Sequence, residues 1–227
     1  MSGSARQIPI PLEHRPQLGR DDFIVSPSNK AALDLIERWP DWPTALVILV
    51  GPPGSGKSHL AAIWQERSGA VVLQPDEPPP SPLPAAAVIE NIDTGSIDEP
   101  GLFHLINGMA EAGGHLLVTS RTPVTDWGVR LPDLVSRLRL ATPGHLDTPD
   151  DSLLRQVLVK LFADRQLLVD KPVIDYLLKR MERSLDASRR LVDAIDEEAL
   201  AENRRISRAL AAEVHQRIAG QAPDLDV

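Results

Sequence analysis

Residues 45–58 read Ala45-Leu46-Val47-Ile48-Leu49-Val50-Gly51-Pro52-Pro53-Gly54-Ser55-Gly56-Lys57-Ser58. The first six are a continuous apolar run, the pattern of a strand buried on both faces in a parallel sheet. The next eight match G-x-x-x-x-G-K-[ST] in full. In such a loop glycines let the backbone wrap a phosphate with its N–H groups aimed inward. The start of the following helix, expected to run to about residue 67, adds a partial positive charge. Lys57 would reach the β- and γ-phosphates, and Ser58 would ligate Mg²⁺. Strand, loop and helix coincide, so the expected ligand is ADP or ATP with Mg²⁺. Its contacts are assigned to Gly51, Pro52, Pro53, Gly54, Ser55, Gly56, Lys57 and Ser58, with the adjoining His59.

Working outward, 29–38 reads as a helix with Ala32, Leu35 and Ile36 on one face, ended by Pro40 and Pro43. Strands are expected at 70–73, 86–89 and 115–119, with a fifth strand or a loop over 140–146. The Pro-rich stretch 75–84 excludes regular structure. Helices are expected at 100–112, stopped by Gly113-Gly114, and at 131–138. Beyond 147 the strand pattern ceases, and helices are expected at 149–164, 172–182, 185–202 and 207–219. Thr148-Pro149-Asp150-Asp151 reads as a helix start with a capping hydroxyl, a first-turn proline and early acids. The expected order is an α/β domain followed by a small helical bundle.

Composition narrows the function classes. The 227 residues are 42% hydrophobic and 25% charged, ordinary for a globular chain. Without cysteine there are no disulfides, thiolate zinc sites or thiol nucleophiles; this fits a reducing, cytoplasmic setting. Residues 1–11 lack the apolar run of a signal peptide, and no stretch of 18 apolar residues offers a membrane span. The net charge of −8 disfavours tight, direct binding to duplex DNA unless a local basic patch overrides the mean.

An ATPase of this kind needs an acid at the end of a neighbouring strand to hold Mg²⁺. Glu90, in Ala87-Val88-Ile89-Glu90-Asn91-Ile92-Asp93, ends the apolar run and is assigned that role with Ser58. The next position usually carries the acid that polarises water; here it is Asn91, whose amide is no base. Asp93 could substitute, although its spacing is wrong for that role, and Asp93 or Ser120 is left as an alternative for positioning the water. Thr119 and Ser120 end the strand expected beside the loop strand, where Thr119 is assigned to the γ-phosphate or its water. Arg137, in Leu134-Val135-Ser136-Arg137-Leu138, is a candidate arginine finger for another subunit's nucleotide, or else a surface cation.

The phosphate loop, the acid strand, the Thr119-Ser120 strand end, Leu131-Pro132-Asp133-Leu134-Val135-Ser136-Arg137 and the all-helical end together resemble the DnaA/Hda family of AAA+ proteins over about residues 5–218. Its short regulatory branch, the Hda-type inactivators of DnaA, is the nearest in pattern. The resemblance implies an α/β AAA+ P-loop NTPase with a parallel sheet sandwiched by helices, plus a small all-helical lid. The implied organisation is an arm (1–20), a nucleotide-binding domain (21–147), a lid (148–220) and a tail (221–227). Gln7-Ile8-Pro9-Ile10-Pro11-Leu12 is similar to the segment with which such regulators dock on the DNA polymerase sliding clamp. A proline-stiffened segment loses little entropy on binding, with Gln7 as polar anchor and Ile8, Ile10 and Leu12 as apolar ones.

The implied function is a regulator that docks on the clamp and presents Arg137 to ATP-bound DnaA. DnaA then hydrolyses its ATP and re-initiation of replication is prevented. Expected partners are the clamp, DnaA and further copies through the AAA+ interface, with no membrane and no sequence-specific DNA contact. The protein would be nucleoid-associated through the clamp. Only a few residues follow 219, so no DNA-reading domain is expected there. Departures from the family pattern are Glu90 for the usual Asp, Arg121 for Asp after Thr119-Ser120, and Asp186 at the sensor-2 arginine position, with Arg183, Arg189 and Arg190 nearby. Two other readings stand beside this one: an autonomous ATPase of the DnaC-type helicase-loader class, and a nucleotide-bound scaffold.

Overall fold

The computed structural model describes residues 18–221. The arm residues Gln7, Ile8, Ile10 and Leu12 lie outside them, as does the tail 222–227. The described chain divides into two compact units, 18–148 and 149–221.

The first unit is a five-stranded parallel sheet flanked by helices. In chain order its elements are α1 (Lys30–Glu37), β1 (Leu46–Val50), α2 (Lys57–Ser68), β2 (Val71–Leu73), β3 (Ala86–Ile89), α3 (Glu99–Glu111), β4 (His115–Ser120), α4 (Pro132–Arg139) and β5 (Thr142–His145). The strand order is β2-β3-β4-β1-β5, so β1 is flanked by β4 and β5. The alternation of side chains along β1 explains its apolar run. Val47 and Leu49 pack with Ile36, Leu60, Ile63 and Trp64 on the α1/α2 side. Leu46 and Ile48 pack with Leu102, Ile106, Leu134 and Leu138 on the α3/α4 side.

The fifth element is a strand. Its sequence, Thr142-Pro143-Gly144-His145, hid this, because proline and glycine are poor strand formers. As an edge strand pairing only with β1 it can spare the N–H that Pro143 lacks. A Cβ on Gly144 would fall 2.6 Å from Leu49 Cδ2, so a larger residue there would push against the core.

Aromatic residues make up only 4% of the chain. The structure nonetheless gathers three of the four tryptophans into one cluster. Trp42 stacks on Trp64 at 4.9 Å, and Trp39 meets Trp64 edge-on at 6.2 Å. His115 at the start of β4 closes the group against Trp39 and Trp42.

The second unit is all helical: α5 (Asp151–Asp164), α6 (Lys171–Leu178), α7 (Leu185–Glu202) and α8 (Arg208–Gln221). Its core holds Leu154, Leu158, Phe162, Leu177, Val192, Ile195, Leu210 and Ala211, all fully buried or nearly so. The hydroxyl cap expected at the start of α5 is replaced by a carboxylate. The cap of α5 is Asp150, whose carboxylate accepts the Leu153 N–H at 2.8 Å, and not the Thr148 hydroxyl. Asp150 is extended and stands three residues before the donor, the geometry a side-chain cap requires; Pro149 precedes it. The expected 172–182 helix also stops at Leu178, and further on Ser184 is extended and caps α7 through the Ala187 N–H. No helix among the described residues is long and apolar enough to cross a membrane.

Candidate nucleotide-binding site

The phosphate loop leaves the C-terminal end of β1. Gly51 donates its N–H to the Ser120 carbonyl at the end of β4, which ties the loop to the neighbouring strand. A Cβ on Gly51 would sit 2.4 Å from the Leu146 carbonyl oxygen, so this close approach requires glycine. Gly54 and Gly56 have φ of 67° and 104°, the left-handed region that side chains avoid. Gly56 then opens α2 with no side-chain cap, leaving the first N–H groups of the helix for another acceptor.

Two side chains inside the loop fit an anion. Lys57 is buried, and its ammonium donates to the Gly51 and Pro52 carbonyls at 2.6 and 2.9 Å. A buried ammonium needs such partners, and phosphate oxygens would serve it better than neutral carbonyls. Ser55 Oγ is buried with no hydrogen-bond partner among the described residues. Ser58, one residue into α2, is exposed and free of steric cover. His59 is buried against the segment before α1: its Nε2 lies 3.0 Å from the Gly19 carbonyl, and its ring meets Phe23 edge-on at 5.1 Å.

The register sets Leu49 opposite Thr119 and Val50 opposite Ser120, so β4 brings both hydroxyls to the end of the sheet that carries the loop. Both residues are fully buried. Thr119 Oγ1 accepts the Asn91 N–H at 2.9 Å, and Ser120 Oγ donates to the Thr122 carbonyl at 2.8 Å. A hydroxyl that accepts one bond retains a proton to donate. Glu90 directly follows β3 and is half-buried. It stands two strands from the loop, about 10 Å at the usual strand spacing, leaving room for a hydrated cation. Asn91 has φ 50° and ψ 46°, a left-handed backbone that Asn tolerates better than most side chains.

Asp93 is committed to the framework. Its carboxylate accepts the Arg121 N–H (2.9 Å), the Thr122 N–H (2.8 Å) and the Thr122 hydroxyl (2.8 Å). Partial burial pushes its pKa up, but the bonds from the Thr122 side chain, the Thr122 backbone and the Arg121 backbone outweigh that and hold it below the usual carboxylate range. It is therefore engaged away from the water-positioning task that the sequence left open to it, and so is the Ser120 proton.

Arg137 lies elsewhere. It sits in the last turn of α4, just before β5 begins, and borders a shallow apolar depression with Leu46 and Leu116. Leu46 is the first residue of β1 and Leu116 the second of β4. Arg137 is thus at the end of the sheet opposite the phosphate loop, one strand length (about 15 Å for five residues) away. It is exposed and has no carboxylate partner among the described residues. What holds α4 in place was not legible from local sequence. The Glu99 carboxylate, in the first turn of α3, accepts the N–H groups of Arg130 (3.1 Å) and Leu131 (2.7 Å), pinning the start of α4. That contact spans more than 30 residues of chain.

In the second unit, the arginines around the sensor-2 position are paired with carboxylates of that unit: Arg183 with Asp151 at 2.8 Å, Arg189 with Asp186 at 3.7 Å and Arg190 with Glu182 at 3.8 Å.

Solved structures of the same fold include domain III of the replication initiation protein DnaA of Thermotoga maritima. It is 15% identical at a TM-score of 0.75, with 89% of this chain and 97% of that one covered. The RuvB Holliday junction branch migration motor of Thermotoga maritima matches at 17% identity and a TM-score of 0.70, covering 88% of this chain and 72% of that one. AMPPCP-bound DnaA from Aquifex aeolicus matches at 14% identity and a TM-score of 0.70, covering 92% and 71%. At these identities the likeness establishes the AAA+ fold. The family model described as AAA domain matches residues 46–219, from the first residue of β1 to the last helix. With that match spanning most of the sequence, over the strand, phosphate loop and helices described above, the chain belongs to the AAA domain family.

Proposed function

We propose that this protein is an AAA+ regulator that holds ADP or ATP with Mg²⁺, docks on the DNA polymerase sliding clamp and stimulates hydrolysis of DnaA-bound ATP in trans. The phosphates would lie in Gly51–Ser58, with Lys57 on the β- and γ-phosphates. Ser58 and, through water, Glu90 would hold the cation, and Thr119 would sense the γ-phosphate. Residues Gln7, Ile8, Ile10 and Leu12 would occupy the clamp.

The observation that carries the reading is the placement of Arg137. An exposed arginine without a carboxylate partner among the described residues, at the end of the sheet away from its own phosphate loop, cannot serve the nucleotide of its own chain. It is free to serve that of a neighbour. Such a finger stabilises the charge of a phosphoryl-transfer transition state. A regulator also has little need of its own turnover, and Asn91 stands where a base would be.

The deciding experiment measures hydrolysis of DnaA-bound ATP in the presence of DNA-loaded clamp, with and without this protein. Stimulation that disappears in Arg137→Ala and in Gln7→Ala/Leu12→Ala supports the reading. Unchanged DnaA turnover with wild-type protein removes it in favour of a nucleotide-bound scaffold.

A further inference from the structure

A second charged locus lies in the helical unit, in residues that the proposed function does not use. Tyr176 of α6 is buried, and two guanidinium groups cover its ring: Arg180 at 4.4 Å and Arg208 at 5.6 Å from the centroid. The two guanidinium carbons are therefore no more than about 10 Å apart, the sum of those distances. His215 packs edge-on against the same ring, with its Nε2 3.2 Å from the Arg180 carbonyl. Lys179 adjoins Arg180, and Arg205 lies three residues before Arg208; both are exposed.

Lys179, Arg180, Arg205 and Arg208 have no carboxylate partner among the described residues. The acids nearby are already engaged: Glu202 and Glu213 with Arg204, and Glu182 with Arg190. Like charges held within a Debye length of about 8–10 Å repel one another. Arg208 also sits at the first position of α8, against the helix dipole, with no acid in that turn. The tyrosine ring offsets part of this repulsion for Arg180 and Arg208, but no carboxylate among the described residues neutralises the locus, and such departures on an acidic protein mark functional surfaces.

We propose that Lys179, Arg180, Arg205 and Arg208 form a binding surface for the phosphate backbone of nucleic acid, without sequence preference. Three of the four are arginines, whose planar forks match phosphate oxygens in paired hydrogen bonds. A protein partner would be expected to find a buried apolar anchor. Here the tyrosine ring lies beneath the guanidiniums, His215 packs edge-on against it, and Ile206 is half-buried. Base stacking is excluded for the same reason, so contact is through phosphate alone, weak and strongly salt-dependent. This surface is independent of the reading of Arg137 and of the clamp-docking arm.

The test is fluorescence anisotropy of a labelled thymine oligonucleotide, about 20 nucleotides long, titrated with the full chain between roughly 50 and 200 mM salt. Each phosphate neutralised on a single strand contributes about −0.7 to the slope of log K against log salt, so four contacts give about −3. Arg205→Glu/Arg208→Glu is expected to weaken binding at low salt at least about tenfold and to flatten the slope by about 1.4 or more. ADP affinity should be unchanged and the variant should still unfold in a single cooperative transition, which separates this surface from the phosphate loop and from misfolding. Equal affinity and slope for wild type and variant would overturn the proposal, as would no binding by wild type at the lowest salt. Labelled polyglutamate bound more tightly than the oligonucleotide would overturn it in favour of an acidic protein segment.

Discussion

The backbone N–H of Asn91 donates to Thr119 Oγ1 at 2.9 Å, joining the residue after Glu90 to the end of β4 beside the phosphate loop. The bond holds Asn91 in its left-handed conformation and couples two elements that would both face a γ-phosphate. Glu90 carries the carboxylate suited to a cation, and Asn91 carries an amide that cannot take a proton. Slow intrinsic hydrolysis is the expected consequence. In a single-turnover assay, wild-type protein should run far below the typical enzyme median of about 10 s⁻¹. Asn91→Asp should raise the rate, since general-base assistance is worth roughly 10² to 10⁴-fold. Fast Mg²⁺-dependent turnover by the wild type alone would instead favour the autonomous-ATPase reading.

Lys57 makes a second prediction. Its ammonium rests on two loop carbonyls, so Lys57→Ala should leave the fold intact while abolishing ADP and ATP binding in calorimetric titration. Ligand at about 100 times its Kd stabilises a native protein by about 2.7 kcal/mol. The rise in melting temperature that saturating ADP produces in wild type should therefore be absent from the variant. A variant that is folded and binds with wild-type affinity would remove the phosphate site from this loop.

For Arg137 the prediction is a separation of functions. The side chain is exposed and unpaired among the described residues, so Arg137→Ala should change neither melting temperature nor ADP affinity. Stimulation of DnaA-bound ATP hydrolysis should fall by as much as about 10³ to 10⁵, the range for arginine fingers in other phosphoryl-transfer systems. Arg137→Lys should not restore it, because an ammonium lacks the planar fork.

Asp93 predicts a pH dependence. Its folded-state pKa lies below the usual carboxylate value because Thr122 and Arg121 donate to the charged form. A group depressed on folding stabilises the protein above its unfolded pKa, and that stability is lost as pH falls through the folded pKa. Asp93→Asn should therefore lower the melting temperature near pH 7. The gap between variant and wild type should close as the pH falls below about 4. A gap that stays constant with pH would mean that the charge of Asp93 contributes nothing.

Much of this molecule was legible in its sequence because the signals are local. An apolar run running into G-x-x-x-x-G-K-S determined a buried parallel strand, its phosphate loop and its helix, since backbone conformation there depends on a few consecutive residues. Helical periodicity beyond residue 147 likewise announced the all-helical unit. Tertiary structure decided what depends on residues far apart in the chain. It made an edge strand of Thr142–His145, where pairing with β1 outweighs the poor propensity of Pro143 and Gly144. It committed Asp93 to Arg121 and Thr122, and Glu99 to the start of α4. It set Arg137 at the opposite end of the sheet from Lys57, and it brought Arg180 and Arg208 onto one tyrosine. Hydrogen bonds and charge contacts of this kind have no periodicity, so no window of sequence contains them; they exist only once packing has brought their partners together.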